Sequence, residues 1–228
     1  MRSLYIVATP IGNLQDVTLR AANTLLAANI IVAESTSKAG ILLEFLKKQF
    51  PDIKSSEKQI ISLTEDEEEQ KIPYVLNVLE ENDAALISEA GTPLISDPGF
   101  KLVREAVRKG VNIIPIPGPS AVIAALSASG LPTDRFLFLG FLPKSMSKKE
   151  TVFGQIKNLE FKTTIIIYES PERLLDTLKI LLQTLGDIDI VIARELTKIH
   201  EEIRRENVTE LIAHFQHTQP RGEFVIII

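Results

Sequence analysis

The stretch Ser88-Glu89-Ala90-Gly91-Thr92-Pro93-Leu94-Ile95-Ser96-Asp97-Pro98-Gly99 decides how this chain reads. It follows an apolar run at 84–87 with the character of a buried strand. It ends in Asp97-Pro98, which reads as a helix N-cap followed by proline at the first helical position. A loop of small residues thus sits at the carboxyl end of a strand and feeds a helix. Open α/β sheets bind ligands at such points, because turns poor in side chains let backbone donors approach a bound group.

On both sides of this loop, strand-like runs alternate with helix-like ones. Before it come an apolar run at 4–8, a helix from a cap at Asp16 to 28, a strand at 30–33, a helix at 41–48 and a short strand at 60–63. An acidic run at 65–69 precedes a helix at 73–81 and reads as a solvated helix start, where carboxylates suit the dipole. After it, Leu102, Val103, Ala106 and Val107 form one helical stripe that stops at Gly110, and 112–116 is a fifth strand. Five strands with four crossover helices describe a parallel-sheet α/β domain.

Pro115-Ile116-Pro117-Gly118-Pro119-Ser120 carries the densest turn chemistry and marks a boundary, giving domains at 1–118 and 119–228. The second half holds an Ala- and Ser-rich helix at 121–129, a strand at 135–141 and a basic loop at 143–149 leading to a helix around Gln155. A strand at 163–168 then runs into a helix capped by Ser170, begun by Pro171 and closed by Gly186. A strand at 189–193, a polar segment to 207, a short helix near Leu211 and a terminal strand at 224–228 complete an α/β half.

Hydrophobic residues make up 45% and charged residues 24% of the 228, the proportions of a globular protein. No apolar run approaches the roughly 20 residues of a membrane span, and the N-terminus enters a strand directly. No membrane partner or signal peptide is therefore expected, and with no cysteine the reducing cytoplasm is the fitting compartment. A net charge of -5 argues against a large non-specific RNA surface. On charge alone the clusters Lys144, Lys148, Lys149 and Arg194, Lys198, Arg204, Arg205 read as solvated surface. The histidines, His200, His214 and His217, have no thiolate partner, so no metal is expected.

Four loops carry the chemical signal: Thr9-Pro10-Ile11-Gly12-Asn13, the 89–97 loop, Pro117-Gly118-Pro119-Ser120-Ala121 and Tyr168-Glu169-Ser170-Pro171. None is a dinucleotide fingerprint, a nucleoside-triphosphate loop or a serine-nucleophile elbow. Two halves with strand-end loops in both suggest a cleft between domains.

Leu4-Tyr5-Ile6-Val7-Ala8-Thr9-Pro10-Ile11-Gly12-Asn13-Leu14, then Ala90 to Gly99, then Pro117-Gly118-Pro119-Ser120-Ala121 resemble the tetrapyrrole methylase superfamily. Ala128-Ser129-Gly130-Leu131-Pro132-Thr133-Asp134-Arg135-Phe136, Tyr168-Glu169-Ser170-Pro171, Ala193-Arg194-Glu195-Leu196-Thr197-Lys198 and Gly222-Glu223-Phe224 are similar to its branch that methylates small-subunit ribosomal RNA. The resemblance implies an α/β, two-domain class III methyltransferase with S-adenosylmethionine in a cofactor cleft between the domains, and a homodimer. The implied reaction moves the sulfonium methyl to the 2'-hydroxyl of a cytidine in 16S ribosomal RNA, with that RNA or the 30S particle as partner.

Carried over residue by residue, the resemblance implies that Pro10 packs against the cofactor. Ser88, Glu89 and Thr92 would line its amino-acid or ribose end. Ser120 and Ala121 would touch it from the hinge, and Glu169 and Leu196 would close the site. Glu195 and Lys198 are the expected catalytic pair. Arg194, Lys144, Lys148 and Lys149 are the expected RNA contacts.

Four departures from the branch pattern stand out: Glu34-Ser35-Thr36-Ser37 lacks an aspartate and an arginine, and Thr64-Glu65-Asp66-Glu67-Glu68 replaces a stretch with histidine and asparagine. Glu89 replaces an aspartate, and Glu172 a histidine. Added acid would bind phosphate less well. Two alternatives stay open: a small-molecule, tetrapyrrole-type methyltransferase, and a non-catalytic cofactor-binding ribosome-assembly factor.

Overall fold

The computed structural model describes residues 2–228. The chain divides into two units, Met1–Ser120 and Ala121–Ile228. The first contains β1 (Ser3–Val7), α1 (Leu19–Ala27), β2 (Ile30–Ala33), α2 (Thr36–Gln49), β3 (Gln59–Ser62), α3 (Glu68–Glu81), β4 (Ala84–Ile87), α4 (Phe100–Arg108) and β5 (Asn112–Ile116). Its sheet runs β3-β2-β4-β1-β5, with every pair parallel.

Alternate residues of these strands face opposite ways, as a two-residue period requires. Leu4, Ile6, Ile30, Val32 and Leu86 pack with Leu76 and Leu79 of α3 and Leu102 and Ala106 of α4. On the other face, Val7, Ile31, Ala85 and Ile87 pack with Leu25 of α1 and Leu46 of α2. Burial on both faces is why these strands read as continuous apolar runs. The chain moves one way across the sheet through β1, β2 and β3, then reverses through β4 and β5. Neighbouring β1 and β4 therefore send their following helices to opposite faces. The point between their carboxyl ends is the switch point where α/β sheets bind ligands.

The second unit contains α5 (Ala121–Ser129), β6 (Phe136–Phe141), α6 (Met146–Lys157), β7 (Thr164–Glu169), α7 (Pro171–Leu185), β8 (Asp189–Arg194), β9 (Glu202–Asn207), α8 (Val208–His217) and β10 (Phe224–Ile227). Its sheet is mixed, in the order β6-β7-β10-β8-β9; β6 and β7 are parallel and the remaining pairs antiparallel. Phe153 of α6, Leu178 of α7 and Leu211 of α8 cover one face with Ile165, Ile167, Ile192 and Ile226. On the other face α5 lies across β10, β8 and β9.

Several local expectations need correction. Asp97-Pro98 does not open α4, which starts at Phe100 behind Gly99, a residue in the left-handed region at φ 117° with no capping side chain. The cap comes from elsewhere: Glu68 is buried and accepts the Leu102 N–H at 3.0 Å, at the third helical position. The acidic run is therefore not simply solvated, and Glu68 serves the dipole of α4 as well as opening its own helix. Likewise, Thr18 rather than Asp16 caps α1. The basic loop is largely helix, because α6 begins at Met146. The polar segment holds a strand, β9, whose Glu202, Arg204 and Glu206 share one face and pair at 2.9 and 2.6 Å. At the end of α4, by contrast, Val111 N–H bonds Ala106 O and Gly110 N–H bonds Val107 O, the paired closure that needs Gly110 at its φ of 73°.

Candidate functional site

In the first unit three loops meet at the switch point. Thr9 and Gly91 exchange backbone hydrogen bonds of 2.8 and 3.0 Å, tying the loop after β1 to the loop after β4. Thr92 Oγ1 donates to Pro119 O at 3.2 Å, adding the loop after β5. The approach is close: a Cβ on Gly91 would lie 3.3 Å from Ile11 Cγ2, and one on Gly118 3.1 Å from Ala8 Cβ. Pro10 and Ser88 are buried at this junction, and Thr92 and Ser120 are half-buried. Leu94 and Ser96 hold positive φ values of 75° and 66°, so the loop after β4 is strained as well as pinned.

Carboxyl groups collect beside these loops. Glu34 follows β2, and Glu89 follows β4 and pairs with Lys38 of α2. Burial, reinforced by the charge of Glu89, pushes the Glu34 carboxyl above its ordinary range. Burial also raises Asp97 to about 6, against the opposing hydrogen bond from Ser88 and with help from Glu34 and Glu89. Among the described residues no group of three or more His, Asp or Glu could hold a metal ion. No helix among them is long and apolar enough to cross a membrane.

In the second unit two clusters involve the sequence-predicted residues. Glu169 is buried: its Oε1 accepts from Ser170 N at 2.8 Å and lies 2.7 Å from the Arg173 guanidinium. Its Oε2 accepts from Thr177 Oγ1 at 2.6 Å, and Lys149 Nζ lies 3.5 Å away while donating to Thr177 Oγ1 at 2.6 Å. Lys149 is 1% exposed, so it is no surface RNA contact. α6 turns it inward to serve Glu169, whereas Lys144 and Lys148 are exposed.

The second cluster follows β8. Glu195 Oε1 accepts from Lys198 Nζ at 2.8 Å and from Glu223 N–H at 3.0 Å, and Lys198 also reaches Glu223 at 3.0 Å. Burial works against the charge on Glu195, yet the hydrogen bonds from Lys198 and Glu223 outweigh it and lower its pKa. Burial likewise opposes the Lys198 ammonium, and its bonds to Glu195 and Glu223 raise its pKa overall. Glu195 and Thr197 sit at positive φ, 48° and 65°. Arg194 is held by Arg221 O at 2.8 Å and Glu202 at 3.4 Å, and Leu196 is buried.

Residues 3–212 match the tetrapyrrole (corrin/porphyrin) methylases. The chain belongs to the tetrapyrrole methylase family. Among similar proteins in that family, a Thermotoga maritima protein named ribosomal RNA small subunit methyltransferase I is 40% identical over 230 residues, spanning 100% of this chain and 98% of its own. One of the same name from Escherichia coli O157:H7 is 43% identical, spanning 99% of this chain and 77% of its own. The α/β fold is that of solved methylase structures. A diphthine synthase superposes with a TM-score of 0.71 at 14% identity, over 100% of this chain and 89% of its own. Uroporphyrin-III-C-methyltransferase from Thermus thermophilus gives 0.66 at 18%, over 99% and 93%.

In this tetrapyrrole methylase the departures have structural uses. Ser35 caps α2 by accepting the Lys38 N–H at 3.3 Å. Glu67 pairs with Lys71 at 2.7 Å, and Glu68 accepts the Leu102 N–H at 3.0 Å. Glu172 is exposed on the first turn of α7. Sequence reasoning missed Glu34, Lys38 and Asp97 as one electrostatic group with Glu89. Gly222 reads in the sequence only as part of the closing motif, without its close approach to Glu195, where an added Cβ would fall 2.4 Å from Cδ. The signal available for the first was a carboxyl within two residues of the end of each of two strands. For the second it was a glycine beside an acidic residue in the closing motif.

Proposed function

We propose that the chain transfers a methyl group from S-adenosylmethionine to the 2'-hydroxyl of a cytidine in 16S ribosomal RNA, acting as a cytoplasmic homodimer on the RNA or the 30S particle. The observation that carries this reading is the whole-chain identity of 40% with a protein named for small-subunit ribosomal RNA methylation. The donor set at the switch point fits the methyl donor. The carboxyls of Glu34, Glu89 and Asp97 suit a group carrying ammonium and sulfonium charge.

S-adenosylmethionine supplies the methyl, carried on a cationic sulfur and released by in-line displacement. The acceptor, a ribose hydroxyl, becomes reactive as its proton leaves to water and negative charge grows on oxygen. Lys198, kept as an ammonium by Glu195 and Glu223, suits stabilisation of that oxygen and not proton removal. Glu195 has its Oε1 committed to Lys198 and a backbone N–H, so it orients the ammonium.

Methyl transfer from labelled S-adenosylmethionine to small subunits lacking the modification, followed by nuclease mapping, tests the reading. Label on one ribose hydroxyl, lost with Lys198→Ala, is the expected result. Cofactor binding without label on any subunit would instead support a small-molecule acceptor or an assembly role.

A further inference from the structure

Two costly features of the second unit converge on one surface spot. The first is a register shift in β6 between Phe138 and Phe141, at Gly140 with its φ of 63°. In an unbroken strand, residues 138 and 141 face opposite sides. The shift pairs Phe141 with Tyr168 as Phe138 pairs with Ile166, placing Phe138, Phe141 and Tyr168 on the face away from the Ile165 and Ile167 core. Their rings touch edge to face, Phe138 to Tyr168 at 4.8 Å and Phe141 to Tyr168 at 5.6 Å. α5 lies over β10, β8 and β9, and Phe141 at the β6 edge is 53% exposed.

The second feature is the buried Lys149–Thr177–Glu169 chain. Buried ion pairs add little stability over apolar packing, so fixing a particular geometry is their better-attested use. This one ends at Arg173, whose guanidinium is held by Glu169 at 2.7 Å, by Ser170 Oγ at 3.1 Å and by Leu142 O at 3.0 Å. So fixed, it lies 5.6 Å from the centre of the Phe141 ring. With exposed Glu172 counted beside them, Lys149, Arg173 and Glu169 leave no net charge at this spot, so a phosphate would be received by the Arg173 guanidinium and Lys144 alone. Exposed Lys144 follows two residues after Leu142.

We propose that Phe138, Phe141 and Tyr168, with Arg173 fixed beside them, form a stacking platform for an unpaired base of the RNA strand. Aromatic side chains and guanidinium planes are how proteins take splayed bases, and adjacent cations receive the phosphate. Charge decides against a second copy of the chain as the occupant: it would have to desolvate Arg173 and Lys144, whereas a polyanion gains from both. The platform deepens the proposed RNA methyltransferase activity and rests on it.

The test is fluorescence-anisotropy binding of the full chain to a single-stranded oligoribonucleotide of about twelve nucleotides. Phe141→Ala and Phe141→Leu should each weaken binding roughly 5- to 150-fold, the equivalent of one lost base stack. Phe141→Trp should retain binding, and the salt slope should stay unchanged because no cation is removed. Wild-type binding that Phe141→Leu matches would overturn the platform, as would absence of oligonucleotide binding by the wild type. So would a fall in sedimentation mass on Phe141→Ala, which would make this face a contact between copies. Methyl transfer to subunits by the wild type is scored in parallel. Its absence refutes the proposed activity, and its presence beside unaltered Phe141→Ala binding refutes the platform alone.

Discussion

Gly222→Ala is the most discriminating single change in the second unit. Gly222 has a φ of 88°, where an alanine costs about 1–2 kcal/mol of backbone strain. Its new Cβ would meet Glu195 Cδ at 2.4 Å and Cγ and Oε1 at 2.5 Å, distances no packed structure holds. The Glu195 carboxylate must then move, weakening its bonds to Lys198 Nζ and Glu223 N–H. Charged hydrogen bonds contribute about 1.5–3 kcal/mol each when fully formed, less where the groups reach water. The expected total is a loss of about 2–4 kcal/mol in urea unfolding. In a Glu195→Ala background the clash disappears and only the strain of about 1–2 kcal/mol remains, so the two changes should couple. Displacing the Lys198 ammonium by about 1 Å should also slow methyl transfer by about a hundredfold. A variant within about 0.5 kcal/mol of wild type, or one equally costly in both backgrounds, would refute the reasoning.

Other changes test the remaining buried charges. Glu68→Ala removes the cap on the third N–H of α4 and should lower stability by about 1–2 kcal/mol, read in the same urea unfolding. Lys149→Met leaves Glu169 and Thr177 short of a partner in the interior and should cost about 3–5 kcal/mol, whereas exposed Lys148→Ala should be within about 0.5. Asp97 binds its proton more tightly folded, at about 6, than at its ordinary value of 3.8. Between those pH values the folded state holds the extra proton, so stability falls as pH rises through that window and is flat beyond it. Asp97→Asn should remove that component of the slope in thermal melts taken from pH 4 to 7.

The first unit was legible because its central strands are buried on both faces and its edge strands, though more exposed, still carry apolar runs. Ile30–Ala33, Ala84–Ile87 and Asn112–Ile116 read directly as apolar runs between turn signals. α7 was equally plain, with Pro171 and Gly186 marking its ends, although Ser170 at its start accepts from Arg173 Nε and makes no capping bond. β9 was not, because Glu202–Asn207 contains one apolar residue, Ile203; an edge strand held by the β8 ladder and by its own charges carries no apolar alternation. Lys149 and Lys148 are adjacent in sequence, and only the packing of α6 against α7 buries one and exposes the other. Asp97 had the residue types of a helix cap, but the cap on α4 comes from Glu68, 34 residues before the Leu102 N–H that it accepts. Local chemistry is readable where local structure uses it, and unreadable where a distant side chain takes its place.

The backbone strain points to where these loops matter. Among the described residues four non-glycines have positive φ: Leu94, Ser96, Glu195 and Thr197. Two lie in the loop after β4 and two in the segment after β8, while the other connections carry none. At roughly 1–2 kcal/mol each, their sum is a large part of the ~5–15 kcal/mol by which domains are stable. A connection needed only to join two elements would shed that strain through asparagine or glycine. Its retention means the surrounding contacts over-determine the loops: Thr9 with Gly91 and Thr92 with Pro119 in one unit, Glu195 with Lys198 and Glu223 in the other. Ser96→Gly, which relaxes the strain without touching those contacts, should therefore leave the fold at least as stable while lowering methyl-transfer rate. If stability and rate both stayed at wild-type values, the strain would have no part in holding the reactive groups.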